Sequence, residues 1–408
     1  MIPPPLSIYV HFPWCVSKCP YCDFNSHALR EQLPEDRYVA ALIEDLHAQA
    51  PRVLDDGVAR EVISVFMGGG TPSLFSPDAI ARVIGAVRAA LPMSPLAEIT
   101  LEANPATVER GRFAEYRGAG INRVSLGAQS FDPAALQALG RIHKVEDVYR
   151  AAEELHACGL TNFNLDLMYA LPDQTVAGAL ADLTAALVLE PAHLSHYQLT
   201  LEPGTVFAHD PPPLPDEDLA FEMQTEGHAL LAGRGFEKYE TSAFARAGRQ
   251  CAHNLNYWNF GDYLGLGAGA HGKLTGTAPT GALVERSTHL REPRRYLAGA
   301  AAGPDWRVVP QIDLPFEFMM NALRLVAGFP EEQFSARTGL AVETVQQQLR
   351  ELGEQALMEA SERGWRPTAT GQLFLNDAIA RFLPAKILKP GQAVRGFSTA
   401  SVLAAQIE

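Results

Sequence analysis

"YVHFPWCVSKCPYCDFNSH", residues 9–27, places three of the chain's five cysteines, Cys15, Cys19 and Cys22, in a C-x3-C-x2-C run directly after a short apolar, β-branched stretch. Full ligation of a cubane [4Fe–4S] cluster takes four thiolates, so three leave one iron open to a small molecule, as catalytic zinc sites keep one position open. A structural zinc ion is the competing reading. His11 and His27 lie close enough in sequence to supply a fourth ligand, although such sites are usually built from paired C-x2-C units.

The strand leading into this loop opens a pattern that runs through about half of the chain. Apolar β-branched runs end in small or polar residues and are followed by helix-like stretches. Strands are expected at 7–12, 62–69, 98–104, 123–130, 162–172 and 193–204, with helices at 35–50, 77–91, 107–118, 133–139, 145–158 and 175–188. Such alternation predicts an α/β fold of parallel βαβ units. Six units are too few for a closed eightfold barrel and suit either an open partial barrel or a doubly wound sheet. In both, chemistry gathers at the C-terminal ends of the strands. The distinctive residues fall there: the cysteines after the first strand, "GGGTP" after the second, Glu102 after the third, Gln129 after the fourth and Asp166 in the fifth.

"AHDPPPLPDEDLAFEM", residues 208–223, is Pro-rich and leads into an acidic helix start, which sets a boundary near residue 210. Three parts are expected: 1–210, the α/β unit; 211–310, an accessory segment containing "CAHNLNYWNFGDYLGLGAGAHG"; and 311–408. The last part reads as helices over 315–326, 330–338 and 341–360, then a hairpin within "GWRPTATGQLFLND", a final helix and a loosely ordered tail after Leu383. That order suggests a small α+β unit like a winged helix, here a packing module.

The 408 residues are 47% hydrophobic, enough for a sizeable core. With 33 basic and 47 acidic side chains the formal charge is −14, which offers phosphate backbones and anionic lipid no general attraction, so no nucleic-acid partner is expected. "MIPPPLSIYV" has no basic n-region or long apolar core, and no stretch reaches the length of a membrane span. A cytoplasmic location without a membrane anchor is therefore expected. In that compartment clustered cysteines are more often metal ligands or redox groups than disulfides.

The three-cysteine spacing, with aromatic Tyr21 before the third cysteine, resembles the radical SAM superfamily. That resemblance implies a radical SAM partial (β/α)6 barrel whose open iron is chelated by S-adenosylmethionine. An electron from the reduced cluster then cleaves the sulfonium to methionine and a 5′-deoxyadenosyl radical. In "MGGGTPS" the glycines leave room for a backbone edge to approach a ligand, and the Arg141 guanidinium of "LGRIHK" suits a carboxylate. Any of Glu102, Gln129, Arg141 and Asp166 alone could be a satisfied polar group of the barrel core; their position at successive strand ends favours a site.

Together with "NRVSLGAQSFD", "NLDLMYALPDQT", "LTLEPGT" and the accessory motif, these stretches are similar, over nearly the whole chain, to the HemW family of heme chaperones, related to oxygen-independent coproporphyrinogen III oxidase. The resemblance implies that Tyr9, Gly69, Gly70, Thr71, Glu102, Gln129, Arg141 and Asp166 contact S-adenosylmethionine. It also implies that heme is bound and delivered to apo-hemoproteins of the respiratory chain, with any membrane contact made through a partner. A coproporphyrinogen III dehydrogenase or another radical SAM oxidoreductase is the alternative. The coproporphyrinogen enzyme has a further cysteine where this chain has Phe24, and a long N-terminal extension where only eight residues precede Tyr9, and both differences point toward the carrier. For heme iron, His253 of "HNLNYW" is the first candidate ligand, with Cys251 and His271 behind it. Cys158 reads as a small buried apolar group.

Overall fold

The computed structural model describes residues 3–54, 60–106, 112–278 and 281–384. The six expected strands are β1 (Leu6–Phe12), β2 (Val62–Gly69), β3 (Met93–Ala103), β4 (Arg123–Gln129), β5 (Phe163–Tyr169) and β6 (His193–Gln198). Each pairs in parallel with the next in chain order. Because the order never reverses, the sheet has no switch point, which selects the partial barrel over the doubly wound sheet.

The crossover helices are α1 (Glu35–Gln49), α2 (Pro77–Ala90), α3 (Arg112–Ala119), α4 (Pro133–Ala138), α5 (Val145–Ala157) and α6 (Val176–Val188). Their starts are written locally. Ser76 caps α2 by accepting from Ala79 N at 3.2 Å, with Pro77 at the first helical position, and Thr175 caps α6 through Gly178 N at 3.2 Å. Expected helix 107–118 is described only from residue 112.

Alternation along the strands assigns two faces. Ile8, Val10, Val65, Met67, Leu101, Leu126 and Leu165 are fully buried and form one core with the helices. The opposite residues face the barrel lumen. At its N-terminal end lie Ser7, Ser64, Glu98 and Arg123; Tyr9, Phe66 and Ser125 follow; and Glu102, Asp166 and Tyr197 lie toward the C-terminal ends. Barrel interiors are ordinarily filled by branched aliphatic side chains. This one is polar and aromatic.

Residues 211–310 extend the same sheet at both edges. Beyond β6 lie β7 (Glu237–Lys238) and β8 (Ala243–Ala245), and β9 (Asp262–Leu266) pairs in parallel with β1. β10 (His271–Ala278), β11 (Gly281–Thr288) and β12 (Asp305–Val308) continue antiparallel, giving one twelve-stranded sheet. A long helix, α7 (Glu217–Gly233), packs on α6, and a short one, α8 (Ala252–Trp258), packs on β2. Asp262, fully buried, accepts from Arg60 Nη1 at 2.6 Å and Lys273 Nζ at 2.9 Å, locking β9 to β10.

The C-terminal unit runs α9 (Leu314–Ala322), β13 (Phe329–Pro330), α10 (Glu331–Thr338), α11 (Gln346–Glu354), β14 (Met358–Ala360) and β15 (Gly364–Pro367). Helix, strand, two helices and a final hairpin make the winged-helix order. Phe318 stands edge-on to Phe329, Phe334 and Phe260, which joins this core to the barrel. Two local expectations are corrected. Helix 341–360 ends early because Ala356 adopts φ 56°, a left-handed conformation that stops the helix. The hairpin therefore falls at 358–367, and "TATGQLF" is helical because the Thr368 side chain caps Gly371 N at 2.9 Å. The tail after Leu383 lies, beyond Pro384, outside the described residues.

Candidate functional site

The C-terminal end of β1 runs straight into the cysteine loop, and the loop is tied back at several points. Trp14 and Cys15 pair in parallel with His27 and Ala28. Lys18 Nζ donates to the carbonyls of Phe24 and Ser26 at 3.1 and 3.2 Å, and His11 Nε2 lies 2.9 Å from the Asn25 carbonyl. Each cysteine has a polar side chain beside it. Thr71 Oγ1 donates to Cys15 Sγ at 3.5 Å, Arg141 Nη1 to Cys19 Sγ at 3.6 Å, and Ser26 Oγ lies 3.5 Å from Cys22 Sγ. Burial pushes the Cys15 and Cys22 thiols up, so a cationic centre is needed to hold them as thiolates near neutrality.

All three cysteines line one pocket, so the three thiols that a [4Fe–4S] cluster with an open iron would use face the same space. His11 and His27 are turned to Asn25, not to the sulfurs.

The glycine run forms the adjoining wall. Gly70 N donates to Phe12 O at 2.7 Å and Thr71 N to Trp14 O at 2.8 Å, so the turn lies against the strand entering the loop. Gly69 adopts φ 112°, and a Cβ there would sit 2.4 Å from the His11 ring; one on Gly70 would sit 2.6 Å from Trp14 O. Both positions therefore require glycine, and Gly69 N still reaches Glu102 Oε2 at 3.1 Å.

Glu102, Gln129, Arg141 and Asp166 line the same pocket. Glu102 is pushed up to about 8 by burial and then by the charge of Asp166, and Asp166 is itself raised by burial. Two carboxylates under this strain favour a ligand bearing positive charge and hydroxyl donors. Arg141 Nη2 donates to Gly127 O at 2.9 Å, which keeps its guanidinium at the lip beside Cys19. The pocket thus offers a fork for a carboxylate, acceptors for hydroxyls and a tight backbone edge. S-adenosylmethionine carries groups that match all three.

Two of the expected residues lie below this pocket. Tyr9 is in the lumen layer beneath it, its hydroxyl 3.0 Å from His11 Nδ1 and its ring stacked on Phe66. His253 lies at the opposite end of the barrel, on α8, with its ring 5.0 Å from that of Phe66. Ser64 and Asn256 Nδ2 donate to Ser7 at 2.7 and 2.9 Å, and Ser64 Oγ lies 3.2 Å from His253 Nδ1, while His253 Nε2 makes no hydrogen bond to a described residue. Burial first, then Arg123, holds this imidazole down at about 3, so it is neutral near pH 7.

The remaining candidates are elsewhere. Cys251 is buried at the start of α8 beside Glu98, and His271 begins β10, 3.4 Å from Thr288 Oγ1 and away from the cysteine pocket. Cys158 ends α5 half-buried, its thiol donating to Leu155 O at 3.4 Å. Ser26, Ser125 and Tyr197 also line the pocket and were not foreseen; only the strand parity of Ser125 and Tyr197 signals them.

Residues 9–183 match the model of the radical SAM superfamily, and residues 309–374 match that of the HemN C-terminal domain. A heme chaperone HemW of Escherichia coli is 49% identical over 384 residues, covering 93% of this chain and 98% of that protein. Its Bacillus subtilis counterpart is 32% identical, covering 92% and 99%. The mitochondrial radical S-adenosyl methionine domain-containing protein 1 of Bos taurus is 36% identical, covering 92% and 87%. Among solved structures, the E. coli coproporphyrinogen III oxidase HemN, a radical SAM enzyme, superimposes with a TM-score of 0.78 over 94% of this chain and 91% of that one, at 23% identity, a likeness of fold.

Proposed function

The chain belongs to the HemW family within the radical SAM superfamily, and from that premise we propose that it binds heme and delivers it to apo-hemoproteins, those of the respiratory chain among them. Cys15, Cys19 and Cys22 hold a [4Fe–4S] cluster, and S-adenosylmethionine occupies the neighbouring pocket. The cluster, when bound, supplies an open iron and a single electron.

The chain's own residues orient the ligands. Arg141 clamps the carboxylate of S-adenosylmethionine, Gly69 to Thr71 present a close backbone edge, Glu102 and Asp166 accept from its amino and hydroxyl groups, and Gln129 offers its Nε2 as a donor. Tyr9 underlies the pocket and sets its depth. On this reading residues 1–210 carry the cofactors, and residues 211–310 close the barrel beneath them and bring in His253. The protein works in the cytoplasm and meets the membrane only through a partner; no helix among the described residues is long and apolar enough to cross a membrane.

The observation that carries the heme assignment is the state of His253. It is a neutral imidazole, its Nδ1 held 3.2 Å from Ser64 Oγ and its Nε2 without a hydrogen bond to a described residue, beside the aromatic rings of Phe66 and Tyr9. An imidazole in that state is a competent axial ligand. Anaerobically reconstituted protein is expected to give saturable hemin absorbance and to pass the heme to an apo-hemoprotein. A His253→Ala variant should shift the spectrum. Conversion of coproporphyrinogen III to protoporphyrinogen, with S-adenosylmethionine and reductant but without heme transfer, would establish the dehydrogenase instead.

A further inference from the structure

Arg123 opens β4 at the N-terminal end of the lumen and is 2% exposed. A guanidinium so buried normally commits its donors to a carboxylate or to carbonyl oxygens. Here the commitment is partial: Nε makes no hydrogen bond and stands in a long ion pair 3.8 Å from Glu98 Oε2, and the terminal nitrogens donate no hydrogen bond to any described residue.

The neighbouring carboxylates serve other groups as well. Glu98 Oε1 caps α8, accepting from Ala252 N at 2.9 Å and contacting the Cys251 thiol at 3.4 Å. Asp166 accepts from Asn164 Nδ2 at 2.8 Å and from Ser125 Oγ at 3.2 Å. Beside burial, the charge of Arg123 contributes to lowering His193 and His253 and eases Glu102 and Asp166. His253, Phe66 and Tyr9 pack together as an aromatic wall in the same lower lumen, and each of the three keeps some accessible surface.

A buried cation with unused planar donors, beside a partly accessible aromatic wall, is the recognition chemistry of a flat apolar molecule bearing a carboxylate. We infer that Arg123 anchors a carboxylate of the cargo in the lower lumen, between the cofactor pocket and α8. Resting on the heme reading above, that carboxylate is a porphyrin propionate, and it fixes which edge of the macrocycle enters first.

The test pairs ligand with residue. Hemin and hemin dimethyl ester, in which both propionates are blocked, are titrated into wild-type, Arg123→Gln and Arg123→Lys proteins whose S-adenosylmethionine binding is checked in parallel. Wild type should prefer the free acid by roughly 10- to 100-fold, the range of a charge-assisted hydrogen bond. Arg123→Gln should lose that preference by weakening for hemin only, and Arg123→Lys should keep part of it. Hemin binding with equal affinity for the ester, or a preference that survives in Arg123→Gln, overturns the anchor and leaves the carrier reading standing. Absence of hemin binding to wild type overturns both.

Discussion

The Tyr197 hydroxyl donates to Gln129 Oε1 at 2.7 Å, and Gln129 holds φ 66°, a left-handed conformation at the end of β4. Strain of this kind in a residue with a Cβ persists where neighbours over-determine it. Tyr197 is one such neighbour. By occupying Oε1 it turns Nε2 toward Gly127 and Arg141, where a Cβ on Gly127 would meet Nε2 at 3.1 Å and Arg141 Nη2 at 3.2 Å. Tyr197→Phe should therefore weaken S-adenosylmethionine binding about 3- to 10-fold, the worth of one neutral hydrogen bond, with cluster content unchanged. Calorimetric titration of the reconstituted variant checks this, and an unaltered affinity would remove Tyr197 from the site.

Glu102 makes the ligand-free protein sensitive to pH in a defined direction. Its folded-state value of about 8 stands above the ordinary 4.5, so the folded state holds this proton more tightly than the unfolded state. Stability contributed by the protonated carboxyl is complete below about 4.5 and is lost as pH rises through about 8. Glu102→Gln lacks that loss. Between pH 5 and 9 the melting temperature of wild type should fall relative to the variant, while the variant binds S-adenosylmethionine more weakly. Parallel melting curves across that range would show that Glu102 ionises normally.

The upper half of the candidate site was legible because its residues sit in or at the ends of their strands, so Glu102 and Gln129 could be placed by counting to a strand end and Asp166 by its place within the fifth strand. The cysteine loop needed only its own spacing. The lower half was not legible, because Glu98, Arg123 and His253 meet only once parallel register and the packing of α8 are known. His253 was singled out beside two aromatics, but its distance from the cysteines along the barrel is a fact of topology. Ser125 and Tyr197 carried a period-two signal that looked like ordinary strand alternation. The strands of residues 211–310 were missed as edges of the main sheet because β9 pairs with β1 across more than half of the chain.

Substitution of the cysteines should divide them sharply. Cys15→Ala, Cys19→Ala or Cys22→Ala should each abolish stable incorporation of the [4Fe–4S] cluster, read as iron and sulfide content and charge-transfer absorbance after anaerobic reconstitution. Cys158→Ser and Cys251→Ala should retain it, since neither thiol lines the pocket. A full cluster in Cys19→Ala would mean that another ligand replaces that thiolate.

Asp262 supports the site from a distance. Its side chain has no exposure, and it balances both Arg60 and Lys273 while accepting from Thr275 N at 2.9 Å and Thr275 Oγ1 at 2.8 Å. Removing one member of a buried ion network leaves charge without its counter-ion and costs about 3–5 kcal/mol. Asp262→Ala should lower the free energy of unfolding by that amount in denaturant titration. Lys273→Met combined with Asp262→Ala should restore part of it, because fewer uncompensated charges then remain inside. Since Asp262 lies at the start of β9, next to Leu6 at the N-terminal end of β1, the folded variant should still bind S-adenosylmethionine with wild-type affinity. Loss of affinity at conditions where the variant is fully folded would instead mean that the β1–β9 pairing sets the geometry of the cysteine loop at the other end of β1.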